Sequence, residues 1–355
     1  MARESHRVSF TPGEGEFEMT GAHDPHDGRA GSLVAQALGD ALGFLVEGHG
    51  PEVCADYVSE VFSSDDPPLG RRGRFVFGQY SDDTQLAREL ALSLGATRRL
   101  VPEDFAVRVA ALFANGTIVG RGRATEAAAR LLIAGVPWDR AGTPSPSAGN
   151  GAAMRAGPVG FLSISQDQMI RIADDAARVT HLDERARAAA VLVALVVADA
   201  IAHGPTACSP TWFEDLARAV DAQDPLLASG IRKMPDWLGA DPVTVADEIT
   251  RWSQPPLGSA HQFERWEGIS PFATPSVLYA LFAYAHAPAD PEEVLQVAVA
   301  VGGDVDTVAA MAGAMVGAAV GLGGLTPRLS RWAELLNDQD TFGLKDLVTI
   351  ARAVV

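Results

Sequence analysis

The chain has 355 residues, 47% of them hydrophobic, with a formal net charge of −17 and only two cysteines. That is enough apolar residue for a large buried core, and the acidic balance without a basic stripe argues against duplex nucleic acid as a bulk partner. Cys54 and Cys208 make no disulfide framework and lack CxxC or His-Cys spacing, so reduced thiols in a cytoplasmic protein are expected and zinc is not.

Residues 1–30 contain no apolar run of the kind a signal peptide needs, and the polar, Gly-containing composition predicts a flexible leader. Its HDPHD segment sets His23 near His26; a polar tail explains the pattern more simply than a metal site. From residue 31 onward the periodicity is helical. DDTQLARELALSLG and RATEAAARLLIAG read as helices running to a Gly. HLDERARAAAVLVALVVADAIAHG follows Thr180 as a cap and stops at His203, Gly204 and Pro205. TPSVLYALFAYAH starts at Thr274 and Pro275, and DPEEVLQVAVAVGG has Asp290 as cap, Pro291 in the first turn, and Glu292 and Glu293 facing the helix dipole. SRWAELLND is a shorter helix near the end. Val308–Leu325 is apolar enough to resemble a membrane span, but it is mostly Ala and Gly and follows the polar GGDVDT. With Gly313, Gly317 and Gly321 at every fourth position it reads as a buried core helix. Strand signals are limited to RVSF and RFVFGQY. Length alone allows about two domains, but the pattern predicts one compact all-α domain over 31–355, with Pro/Gly/Ser stretches as functional loops and a monomeric state.

Four stretches carry chemistry: Gly39–Gly48 (GDALGFLVEG), Tyr80–Thr84 (YSDDT), Ser147–Gly160 (SAGNGAAMRAGPVG) and Val301–Gly313 (VGGDVDTVAAMAG). Asp82 and Asp83 are adjacent like charges between Ser81 and Thr84. A helix dipole offsets such repulsion by only ~0.3–1 kcal/mol, so capping alone is a weak reason for them. Asp304, Asp306 and Thr307 repeat the pattern at a second helix start. Carboxylates and hydroxyls are the donors that hard divalent cations prefer. If the two clusters meet, with Glu47 beside them, cations are what would make so much negative charge tolerable. The SAGNG loop can present backbone N–H groups to a pyrophosphate, although it is not a GxxxxGK[ST] loop. Arg155 is read as a buried salt-bridge partner of the carboxylates, and His181 as a helix-start residue able to reach a ligand hydroxyl. A Ser-His-Asp triad lacks its GxSxG elbow, and an EF-hand lacks its 12-residue loop.

In this order the motifs GDALGFLVEG, YSDDTQLA, GRGRAT, SAGNGAAMRAGPVG, VTHLDERA and VGGDVDTVAAMAGAMVGAAVG resemble the ADP-ribosylglycohydrolase family, from about Gly31 to Trp332. The resemblance implies an all-α fold around two Mg²⁺ (or Mn²⁺) ions held by Ser81, Asp82, Asp83, Asp304, Asp306 and Thr307. It implies cleavage of the C1″ bond between ADP-ribose and a modified side chain, with Asp83, Asp82 and Glu47 as the catalytic acids. Gly120 and Gly122 would line the cleft, Ser147, Gly149, Asn150 and Gly151 would hold the pyrophosphate and proximal ribose, and His181 would contact the distal part. Many relatives carry Thr at the Ser81 position; the hydroxyl is retained. An ADP-ribosylated protein is the expected partner, arginine-linked slightly ahead of serine-linked. A hydrolase of small free ADP-ribosyl conjugates and a non-catalytic ADP-ribose binder are the alternatives. Residues 205–270 carry no readable acceptor signature.

Overall fold

The structure is a computed structural model and describes residues 24–205, 208–255 and 266–354. It is all-α. In chain order the elements are α1 (Pro25–Phe44), α2 (Pro51–Phe62), a hairpin of β1 (Arg71–Arg72) and β2 (Phe75–Val76), α3 (Asp82–Thr97), α4 (Pro102–Ala114), α5 (Arg123–Ile133) and α6 (Trp138–Ala141). Then follow α7 (Gln166–Arg178), α8 (Glu184–His203), α9 (Pro210–Val220), α10 (Pro225–Trp237), α11 (Pro242–Trp252), α12 (Ala273–His286), α13 (Pro291–Ala300), α14 (Val305–Val320), α15 (Pro327–Ala333) and α16 (Leu344–Ala353). The hairpin is antiparallel, with Arg71 opposite Val76.

The centre of the molecule is the antiparallel pair α1 and α14, which approach until their backbones touch. A Cβ added to Gly43 would lie 2.4 Å from Asp306 Cα, and one added to Gly317 would lie 2.2 Å from Gly31 O. Small residues permit that approach, and larger ones would separate the helices. Both helices are buried for almost their whole length. The apolar stretch from Val308 is therefore a core helix, as expected, and α8, long and apolar enough to cross a membrane, is also packed inside. The pairing sets the start of α14, with its acids, beside the turn that follows α1.

Several boundaries differ from the sequence reading. The first helix begins at Pro25 under the cap of Asp24, so residues 25–30, assigned to the leader, are its first turns. Gly28 and Gly31 made this stretch look like coil, but they sit against α14. His26 is exposed there, while His23 and RVSF lie outside the described residues. The cap of α8 is Asp183, which accepts from Arg185 N, and not Thr180. Asp290 caps α13 as expected, and α15 starts after Thr326 and ends at Ala333, short of the predicted LLND. RFVFGQY contributes only Phe75–Val76 as strand.

Candidate metal centre and ligand cleft

Ser81 is the N-cap of α3, so Asp82 and Asp83 occupy its first turn. Ser81 Oγ donates to Asp83 Oδ2 at 2.9 Å. This turn is held from beneath by Asp40, a wholly buried residue of α1. Its Oδ1 accepts from Ser81 N at 2.9 Å, and its Oδ2 accepts from Thr84 N at 3.0 Å and Thr84 Oγ1 at 2.7 Å. Gln36, one turn earlier, donates to Asp83 O and to Met154 O. The far side of α3 is anchored by a buried ion pair, Arg88 with Asp338, at 2.6 Å.

The second acidic motif is fixed by a backbone clamp. Gly48 N donates to Gly303 O, Gly303 N to His49 O, Ile269 N to Gly302 O, and Asp304 N to Ile269 O. Gly303 has φ +88°, and a Cβ there would lie 2.1 Å from Ile269 O, so only glycine is accommodated. The clamp joins the turn of Glu47 to the start of α14. Carboxylate oxygens of Glu47, Asp304 and Asp306 consequently lie within 4.8 Å of one another.

Asn150 opens a short 3₁₀ turn, Asn150–Ala152, in the loop expected to hold a pyrophosphate. Its amide nitrogen donates to Asp304 Oδ2 at 2.5 Å and to Ser276 Oγ at 2.9 Å. Gly120 comes in from the opposite wall at φ +74°, where a Cβ would lie 2.5 Å from Asp82 Oδ1. Gly122 N reaches Asp82 Oδ2 at 3.4 Å. The result is one cleft of about 450 Å³ lined by Glu47, Asp82, Asp83, Gly120, Gly122, Ser147, Gly149, Asn150, Gly151, His181, Asp304, Asp306 and Thr307. Ser81 lies just behind this lining, buried against Asp83. All four motifs, read separately in the sequence, therefore meet. A larger groove of about 660 Å³ between α3, α4 and residues 338–342 contains none of them.

Arg155 departs from the expectation. It is buried, but it does not pair with the acids. It donates to Gly151 O, to Ala176 O at 3.2 Å and to Thr180 Oγ1 at 2.7 Å, so it braces the loop from behind. Burial pulls its guanidinium down to about 9. Thr180, read as a helix cap, instead links Arg155 to His181 Nδ1, 2.8 Å away.

The electrostatics indicate what the cluster is suited to hold. Burial pushes Asp82 and Asp304 up to about 7 and Asp40 to about 6, and neighbouring carboxylates add to the rise at Asp82 and Asp304. Asp83 and Asp306 are held well above the usual carboxylate range, first by burial and then by surrounding acids. Asp83 Oδ1 is buried without a hydrogen-bond partner. Acids that resist ionisation because of burial and of one another, an orphaned carboxylate oxygen, and an all-oxygen donor set together fit a hard divalent cation.

The sequence pattern of the ADP-ribosylglycohydrolase family matches residues 22–354. The chain belongs to the ADP-ribosylglycohydrolase family. An uncharacterized protein of Archaeoglobus fulgidus is 32% identical to this family member over 89% of the chain and 93% of its own length. ADP-ribosylhydrolase ARH3 of Gallus gallus is 25% identical over 87% of the chain and 89% of the relative, and the Homo sapiens protein 26% over 82% and 85%. Among solved structures, an ADP-ribosylglycohydrolase-related protein complex superposes with a TM-score of 0.64 at 26% identity, covering 93% of this chain and 97% of that one. Membership of this family carries an ADP-ribosyl hydrolase activity.

The residues that sequence reasoning missed are the ones that position others. Asp40 and Gln36 lie inside a continuous helix, where no local signal separates a working polar residue from a solvent-facing one. Thr125, in the first turn of α5, is also buried in the cleft wall, its Oγ1 unpartnered and 3.0 Å from where a Gly151 Cβ would sit.

Proposed function

We propose that this family member is a Mg²⁺-dependent hydrolase of the C1″ glycosidic bond joining ADP-ribose to a modified protein side chain, arginine or serine. The observation that carries this reading is the convergence of Asp82, Asp83, Asp304, Asp306 and Glu47 with the Ser147–Gly151 loop in one cleft. Two cations would be held by Ser81, Asp82, Asp83, Asp304, Asp306 and Thr307, which supply hydroxyl and carboxylate oxygens from two helix starts. Bound there, the metal supplies positive charge that orients ribose hydroxyls and activates water.

The chain's own groups do the remaining work. The N–H groups of Ser147 and Asn150 already donate to Pro144 O and Pro271 O, so the pyrophosphate falls to the other N–H groups of the small-residue loop, and His181 at the same wall serves the distal part of the ligand. Glycoside cleavage passes through an oxocarbenium-like state in which the C1″–acceptor bond breaks and its electron pair leaves with the acceptor heteroatom. Asp83 or Glu47, lining the cleft, takes the proton of the attacking water. The same reading has the enzyme act as a monomer in the cytoplasm, in keeping with two cysteines that are both free thiols.

The test is an assay panel. Purified protein with Mg²⁺ is given arginine-, serine- and cysteine-linked ADP-ribosyl peptides and a small free conjugate, and released ADP-ribose is measured. Release from one peptide linkage names the acceptor. Release from the small conjugate alone moves the substrate class, and binding without release on any substrate overturns the hydrolase reading.

A further inference from the structure

Among the described residues, Arg72 is the one cation paired with a carboxylate of the acidic cluster. Its guanidinium ion-pairs with Glu47, donates to Phe44 O at 3.1 Å, and lies 4.7 Å over the Phe44 ring. It is delivered by β1 of the hairpin, whose other strand sets the Phe75 ring edge-on to Phe44 at 6.0 Å. The hairpin is thus docked on the last residue of α1, immediately before the turn that carries Glu47. Glu47 also offers a carboxylate oxygen within 4.8 Å of oxygens from Asp304 and Asp306. One carboxylate is therefore shared between a single guanidinium nitrogen and the neighbourhood of two buried acids.

We propose that Arg72 is a positioning residue that restrains Glu47 at the edge of the cation site, so that this carboxylate stays available for proton transfer and is not drawn fully onto metal. The inference rests on the metal-dependent reading above. Arg72 competes with a divalent cation for the same carboxylate and also repels that cation through space, so both effects weaken metal binding. Its side chain is 41% exposed on a two-residue strand, so its removal opens no core cavity.

The experiment is a calorimetric Mg²⁺ titration of the full chain in four forms: wild type, Arg72→Ala, Glu47→Gln and the double variant, with kinetics alongside. Arg72→Ala is expected to tighten Mg²⁺ binding by roughly tenfold, opposite in sign to the ~10–100-fold loss that follows removal of a residue supporting a metal ligand. The same substitution in the Glu47→Gln background is expected to tighten binding much less, because only the through-space repulsion is then removed. Arg72→Ala should lower kcat with KM little altered, and Arg72→Lys should stay near wild type in affinity. Wild-type affinity in Arg72→Ala, with or without a lower Tm, would reduce Arg72 to a brace for the hairpin and overturn the proposal. Equal tightening in both backgrounds would also overturn it, because the effect would not pass through Glu47. A wild type that binds no divalent cation fails the metal reading itself, and its titration alone reveals that.

Discussion

Asn150 on the small-residue loop donates a 2.5 Å hydrogen bond to Oδ2 of Asp304 at the start of α14. The two functions expected of separate motifs, holding a pyrophosphate and holding a cation, are thereby coupled through one amide. Asn150→Ala should raise KM for the ADP-ribosyl substrate and also weaken Mg²⁺ binding, because Asp304 loses its orienting donor. Calorimetry with Mg²⁺ alone checks this: an unchanged metal affinity would confine Asn150 to the ligand side.

Asp83→Asn should chiefly lower kcat, by ~10²-fold or more if proton transfer is lost. The substitution keeps the shape of a residue whose Oδ2 accepts from Ser81 and whose Oδ1 is unpartnered. ADP-ribose should still bind the variant by calorimetry. Turnover at the wild-type rate would return the acidic pair to helix capping.

Asp40 touches no ligand, yet its carboxylate receives Ser81 N, Thr84 N and Thr84 Oγ1. Asp40→Asn should weaken Mg²⁺ affinity by about 10–100-fold, as loss of a residue supporting metal ligands typically does, with the far-ultraviolet helix signal retained. Asp40→Ala should lower Tm in addition, since it leaves those donors buried and unpaired.

Removing metal should lower Tm, and the difference should depend on pH. Ligand binding stabilises by about 2.7 kcal/mol at a hundredfold excess over Kd. In metal-free protein, burial and neighbouring carboxylates push Asp82 and Asp304 up to about 7, well above the ordinary carboxylate range. Between roughly pH 4 and pH 7 the folded state therefore binds more protons than the unfolded state, and stability falls as pH rises through that window. Metal-free protein should melt higher at pH 5.5 than at pH 8, and millimolar Mg²⁺ should help most at the higher pH, where the acids are ionised. Scanning calorimetry at both pH values tests this, and Asp304→Asn should flatten the metal-free slope.

Much of this was legible in the sequence for local reasons. A serine ahead of two acids, and the acids and hydroxyl of DVDT, read as helix starts, and both helices begin where those signals stand. The bounds of the candidate site came from the same motifs. What was not legible depends on partners distant in the chain. Pro25 to Ala30 read as leader because Gly28 is selected by contact with Ala318 and Ile201, not by helix propensity. Asp40 is one acid in the apolar second half of α1, and its donors come from 41 and 44 positions away. Arg155 was assigned to the carboxylates on charge alone; its two terminal guanidinium nitrogens donate instead to carbonyl and hydroxyl oxygens of the loop wall.

The contact of α1 with α14 through glycine backbones has a consequence for anyone altering this scaffold. At Gly43 the nearest atoms of α14 are backbone, and at Gly317 the nearest atoms of α1 are the Gly31 backbone and the Ala35 Cβ, none of which can swing aside to absorb a displacement. The pair behaves as a hinge-free beam: a methyl group introduced at Gly317, at the end remote from the cleft, wedges one tip open and tilts the other. Substitutions in the loops that rim the cleft leave this beam untouched, whereas substitutions at its glycines displace the acids at the start of α14.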